Sequence, residues 1–155
     1  MDRKTLFLSL ILSVPVGNAA YAGYDANSGT GSWIDIRSDE SESDKLLGLS
    51  CAGLGQIDVH LGGEFGIGKG GHEAVSATLS TGKTSATLKG LSIETADAEM
   101  TGGIELLTSL APDDKAFGIL ASGKEISLKH GGTTEKFMLG KSATDALTAF
   151  LKACS

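Results

Sequence analysis

Aromatic side chains are few in this chain: one Trp, two Tyr and five Phe among 155 residues. Its core must therefore come from Leu, Ile, Val and Ala. With 22 glycines, the chain reads as many short elements joined by tight turns. Basic residues are also in the minority, 13 Lys and Arg against 19 Asp and Glu, giving a formal net charge of −6. An acidic body of this kind does not seek nucleic acid or anionic lipid. Beyond residue 22 no apolar run is long enough to span a bilayer, so no membrane span is expected once the leader is removed.

That leader is the most informative segment present. Met1-Asp2-Arg3-Lys4 is a basic head, Leu6 to Val16 is an apolar run too short to cross a membrane, and Ala20-Tyr21-Ala22 is an A-x-A site. The pattern predicts a cleaved signal peptide over 1–22, with the cut before Gly23. Because Gly23 is not Cys, a lipid-anchored form is not expected. The expected location is periplasmic or secreted. Loss of Asp2, Arg3 and Lys4 makes the remaining chain more acidic by one charge, about −7.

Only two cysteines are present, Cys51 and Cys154. In an oxidising compartment such a pair closes, here around a loop of about 100 residues, a staple with a chain-entropy value of roughly 4–5 kcal/mol. A redox role would want C-x-x-C spacing, which is absent.

Residues 23–32 are polar and glycine-rich and predict a loosely held leader to a single domain over 33–155. Trp33-Ile34-Asp35-Ile36 reads as a first strand. The acidic stretch Ser38 to Asp44, with Asp39, Glu40 and Glu42, lacks the spacing of an EF-hand calcium loop and reads as a solvated connection. Leu47, Leu49 and Cys51, then Ile57, Val59 and Leu61, alternate with polar or small residues as two half-buried strands. Val75, Ala77 and Leu79 lead through Ser80-Thr81-Gly82-Lys83 to Ala86 and Leu88 as a hairpin. Leu91, Ile93 and Met100 extend the pattern. Apolar residues at 104, 107 and 110 predict a short central helix, stopped by Pro112. Phe117–Leu120, Ile126–His130 and Lys136–Leu139 read as the closing strands. At the end, Ser142 as N-cap with Asp145 three residues on predicts a helix. Its apolar stripe runs Leu147, Phe150, Leu151 and Cys154.

Several segments approach the form of a chemical motif and fall short. Gly63 to Lys69 fits G-x-x-x-x-G-K, and Gly66, Gly68 and Gly71 fit G-x-G-x-x-G. Gly70 stands where a magnesium-holding Ser or Thr is needed, and a strand pattern follows where a helix should begin. A mobile hairpin loop is expected instead. Ser80-Thr81-Gly82-Lys83 fits S-x-x-K, but S-D-N and K-T-G partners are missing. Gly48 to Ala52 misses the nucleophile elbow at Ala52. His60, His72 and His130 form no H-x-x-x-H or H-E-x-x-H spacing, and no catalytic carboxylate pair stands out. Neither a metal nor another cofactor is expected.

Phe137-x-Leu139-Gly140, Ala146-Leu147 and Leu151-x-Ala153-Cys154, with Leu46 to Leu49 running into Cys51 and Ile57-x-Val59, resemble small exported proteobacterial proteins. These are the proteins related to invasion-associated locus B, and some periplasmic proteins near type VI secretion loci. The similarity covers about half of the chain beyond the leader. It implies a compact, mostly β domain with one disulfide and no enzymatic activity.

The expected fold is mainly β: about seven or eight antiparallel strands in a sandwich or strongly curved sheet, with a short central helix and a C-terminal amphipathic helix. The expected function is non-catalytic binding to a protein partner (an envelope protein, a host protein or an inhibited target enzyme). Loops carry the contacts on such scaffolds, which singles out Gly66, Gly68, Lys69 and His72, and the acidic Asp39, Glu40 and Glu42. The alternative is a metal-dependent or hydrolytic enzyme using the three histidines and nearby acids.

Overall fold

A computed structural model of the chain describes residues 21–26, 32–37, 45–53, 55–62, 66–95 and 103–155. The expected export segment up to residue 20, and the acidic connection with Asp39, Glu40 and Glu42, lie outside the described residues. In chain order the strands are β1 (Tyr21–Ala26), β2 (Ser32–Arg37), β3 (Lys45–Gly53), β4 (Gln56–Leu61), β5 (Gly71–Thr81), β6 (Thr84–Glu94) and β7 (Ile104–Leu110). Helix α1 (Lys115–Leu120), β8 (Ile126–His130), β9 (Thr133–Phe137) and helix α2 (Lys141–Ala153) complete the chain.

All nine strands join one antiparallel sheet in the order β1-β2-β3-β4-β7-β6-β5-β8-β9. The sheet curls into a half-barrel. Of the two β architectures expected, the curved sheet is the one formed.

The period-two pattern decides which face is the core. Leu47 and Leu49, Ile57, Val59 and Leu61, Ala77 and Leu79, Ala86 and Leu88, and Ile126 and Leu128 all point inward and are buried. Each buried Leu or Ile removes apolar surface from water, a gain of about 1.5–3 kcal/mol apiece. In β6 the inward set is Ala86, Leu88 and Ser92. Leu91, expected to extend the strand pattern, does lie in β6 but faces outward and is 45% exposed. Gly90 is required between them: a Cβ there would sit 2.1 Å from the Leu107 carbonyl oxygen of β7.

Two expectations reverse. Residues 104–110 form β7 rather than a helix. Apolar residues at 104, 106, 107 and 110 suit either period, and pairing with both β4 and β6 settles it for the strand. The central helix comes one segment later, over residues expected to be a strand. Asp114 accepts a bond from the Ala116 N–H at 2.8 Å and starts α1. Ala116, Phe117, Ile119 and Leu120 then form its buried face.

β1 occupies part of the segment expected to be loose. Its register with β2 pairs Gly23 with Asp35 and Tyr24 with Ile34, so the expected cleavage point falls within a strand. An edge strand is held by main-chain bonds to one neighbour, which polar and glycine-rich composition does not forbid.

The N-cap of α2 is Gly140 rather than Ser142. Asp145, expected to answer Ser142, instead takes an ion pair from Lys141 at 2.5 Å. The expected stripe is otherwise in place: Ala143, Leu147 and Phe150 are buried, as is Cys154 just past the end, and Leu151 is half-buried. The helix leaves β9 at one edge of the sheet and packs against β1 and β2 at the other. It thus spans the mouth of the half-barrel. Cys154 bonds Cys51 of β3, with 5.7 Å between their Cα atoms and 103 residues between them in sequence.

Reduction of this bridge, or Cys154→Ala, is expected to cost about 2–5 kcal/mol. Urea unfolding of the oxidised protein and of the variant measures it.

Candidate functional site

The glycine-rich segment after β4 is the first place where sequence and structure part. To reach β5, the chain must pass the ends of β7 and β6, which lie between β4 and β5 in the sheet. The segment is therefore a crossover strap, and the mobile hairpin loop expected here is not formed. Residues 63–65 are outside the described residues. From Gly66 onward the strap is pinned strand by strand. The Ile67 N–H donates to the Ile104 carbonyl of β7 at 3.1 Å, and the Ile67 side chain is buried. The Gly70 N–H donates to Ser92 Oγ of β6 at 2.8 Å. Gly68 has φ +100°, and a Cβ on it would lie 2.4 Å from Ser92 Oγ and 2.7 Å from Glu73 Oε1. Only glycine allows so close a crossing.

The resemblance to a phosphate loop has a physical counterpart. Backbone N–H groups do converge on an anion, but the anion is the chain's own Glu73. Its Oε1 accepts from the Lys69 N–H, and its Oε2 accepts from the Gly71 N–H at 2.9 Å. Bonds from backbone N–H groups, its own first and that of Lys69 next, hold the Glu73 carboxyl below the usual carboxylate range. His72 stands between these residues at φ 62°, exposed, at a bulge in the β5–β6 register. Of the loop residues singled out in sequence, Gly66, Gly68, Lys69 and His72 belong to this strap. Glu73 and Ser92, which organise it, carried no motif. The signal available was the strand order itself.

The three histidines lie apart. His60 is on the outer face of β4, with Nδ1 3.0 Å from Glu105 Oε2. The His60 side chain is 33% exposed, whereas that of Glu105 is 4% exposed. His130 faces inward from β8, and its Nε2 is 2.6 Å from Glu135 Oε1 of β9. His60 and His130 therefore sit on opposite faces of the sheet. Among the described residues no group of three His, Cys, Asp or Glu side chains is placed to hold a metal. Cys51 and Cys154 are brought together, as the disulfide. Every buried side-chain polar atom among the described residues has a hydrogen-bond partner, and no helix there is long and apolar enough to cross a membrane.

The outer face changes character across the sheet. Over β5 and β6 it carries Ser76, Thr78, Thr87 and Lys89, with Thr78 and Thr87 hydroxyls 3.2 Å apart. Where β6 meets β7 it turns apolar: Leu91 pairs directly with Leu107, and half-buried Ile93 lies two residues along. His60 pairs with Leu107 from the other side. The row Leu91–Leu107–His60 thus crosses three strands.

Two outcomes test the strap. Ile67→Ala is expected to cost about 2–4 kcal/mol, as deletion of a buried side chain does, where a mobile loop would tolerate it; urea unfolding gives the number. Glu73 has a folded pKa below its unfolded one. Its stabilisation is therefore present above the unfolded value and lost as pH falls through the folded one. Glu73→Gln is expected to remove that acid-side loss of Gly71 amide protection, measured by hydrogen exchange across pH.

No family model matches the chain, and neither the curated proteins nor the solved structures yield a match to it.

Proposed function

We propose that this chain is an exported, non-catalytic binding protein that works through contact with a protein partner. One observation carries the reading: the outer-face row of Leu91 and Leu107, with Ile93 beside it, on a sheet whose neighbouring outer face is Ser, Thr and Lys. A large apolar residue left 45% exposed, next to Ile93 and Leu107 on a face that is polar further along β6, suits a contact surface. The scaffold supports it, because a disulfide-pinned sheet presents such a row with little ordering cost. Export rests on the basic head, the apolar run and the A-x-A site, and a disulfide fits an oxidising compartment. The partner class is an envelope or host protein, or a hydrolase that the chain inhibits. The net charge of −6 favours a basic partner. The resemblance to exported β-domain proteins of the invasion-associated locus B type points the same way.

A photo-crosslinking side chain at Leu91, with the same group at Thr87 as control, tests this in cells of the native host. A discrete protein adduct from position 91 and none from 87 is expected. Equal labelling at both positions, or none at either, overturns the reading.

His60 favours a second reading, a hydrolytic enzyme. A buried carboxylate on Nδ1 with the ring partly open to solvent is the arrangement of a general base. Turnover of an ester or glycoside panel that is lost in His60→Asn would select it.

A further inference from the structure

A cleft of about 470 Å³ opens where the β5–β6 turn meets α1. It lies at the opposite end of β5 and β6 from the glycine strap. Lys83 of the turn, Lys115 at the start of α1 and Lys124 of the connection to β8 line it, and all three are exposed. Thr84 and Ser122 add hydroxyls, and Gly118 leaves the helix side of the cleft open. The volume is within the range of small-ligand sites.

Charge makes this cleft unusual for the chain. Three lysines line one concavity of a protein whose net charge is −6. Among the described residues none of the three has an ion-pair partner. The nearby acids are engaged elsewhere: Glu125 pairs with Lys136 at 2.9 Å, and Asp114 caps α1 through the Ala116 N–H. Asp113, beside Asp114, is exposed. Thr81 donates its hydroxyl to the Glu125 carbonyl, which fixes the turn against the connection that carries Lys124. Ser122 Oγ accepts from the Lys124 N–H at 3.3 Å. The lysines are thus mounted on three segments tied to one another.

We propose that this cleft binds a small ligand carrying tetrahedral oxyanions, with Lys83, Lys115 and Lys124 as its charged contacts and Thr84 and Ser122 as hydroxyl donors. Lysines that line one cleft without an ion-pair partner suit a multiply charged anion, and charge-assisted bonds to its oxygens are the strong kind. The S-x-x-K segment Ser80 to Lys83 then has a role in binding, because its Lys83 lines the cleft while Gly82 turns the chain. The site is remote from Leu91 and stands independently of the protein-contact reading.

Two probes separate the sources of such a ligand: inorganic pyrophosphate for phosphates, and a heparin-derived disaccharide for sulfated sugars. Each is titrated into the full disulfide-bonded protein at low salt and followed by amide chemical shifts. Saturable shifts at Gly82, Gly118 and Ser122 with at least one probe are expected, weakening as salt rises. The triple variant Lys83→Gln, Lys115→Gln, Lys124→Gln is expected to lose affinity by at least about tenfold. Lys89→Gln with Lys129→Gln, exposed lysines outside the cleft, is expected to leave it unchanged. Matching thermal unfolding of the variants confirms that they fold. The absence of saturable binding by either probe, or an equal loss in the control variant, overturns the proposal.

Discussion

The strand order obliges the chain to leave β4 and reach β5 across the ends of two strands made later. Everything at that end of the sheet answers to this detour. A connection crossing strand ends so closely has no room for side chains on its near side, so it is written in glycine. It also lies over a region where ladder bonds have stopped, so its N–H groups need acceptors. Ile104, Ser92 and Glu73 supply them. Glu73 is the economical part of the arrangement, since one carboxylate accepts from both Lys69 and Gly71 of the strap.

The second detour runs at the other end. From β7 the chain passes β6 and β5 to reach β8, and α1 packs across both. Here the connection has length to spare and makes a helix with its own buried face. The two ends differ in character as a result. One is closed by backbone over backbone; the other leaves a concavity between a turn and a helix, lined with lysines. α2 closes the remaining gap, from the β9 edge to the β1 edge, with sulfur fixing its far end to β3.

What the sequence made legible was whatever local periodicity governs. The inward faces of β3, β4 and β5 and the stripe of α2 follow from alternation and helical spacing, and the disulfide follows from having only two cysteines. Residues 104–110 and 115–120 exchanged identities because each is short and apolar enough to satisfy two periods, and tertiary pairing decided between them. Asp114 was the local mark that could have placed α1. The strap was beyond local reading. Gly66, Gly68 and His72 stood out, but their purpose depends on β6 and β7 lying beneath them, a fact of topology. The same holds for His60 and Glu105, separated by 45 residues and joined only because β4 and β7 are neighbours.

The span of the Cys51–Cys154 bond imposes a sequence in time. A chain that emerges N-terminus first delivers β3 while its sulfur partner is 103 residues away. Until then Cys51 is a lone thiol, and the outer edge of β4 has no β7 to pair with. Oxidation before residue 154 is delivered finds no intramolecular partner, so an oxidase acting that early would join two chains. Correct closure therefore waits on the delivery of residue 154, an ordering set by where two residues lie along the chain.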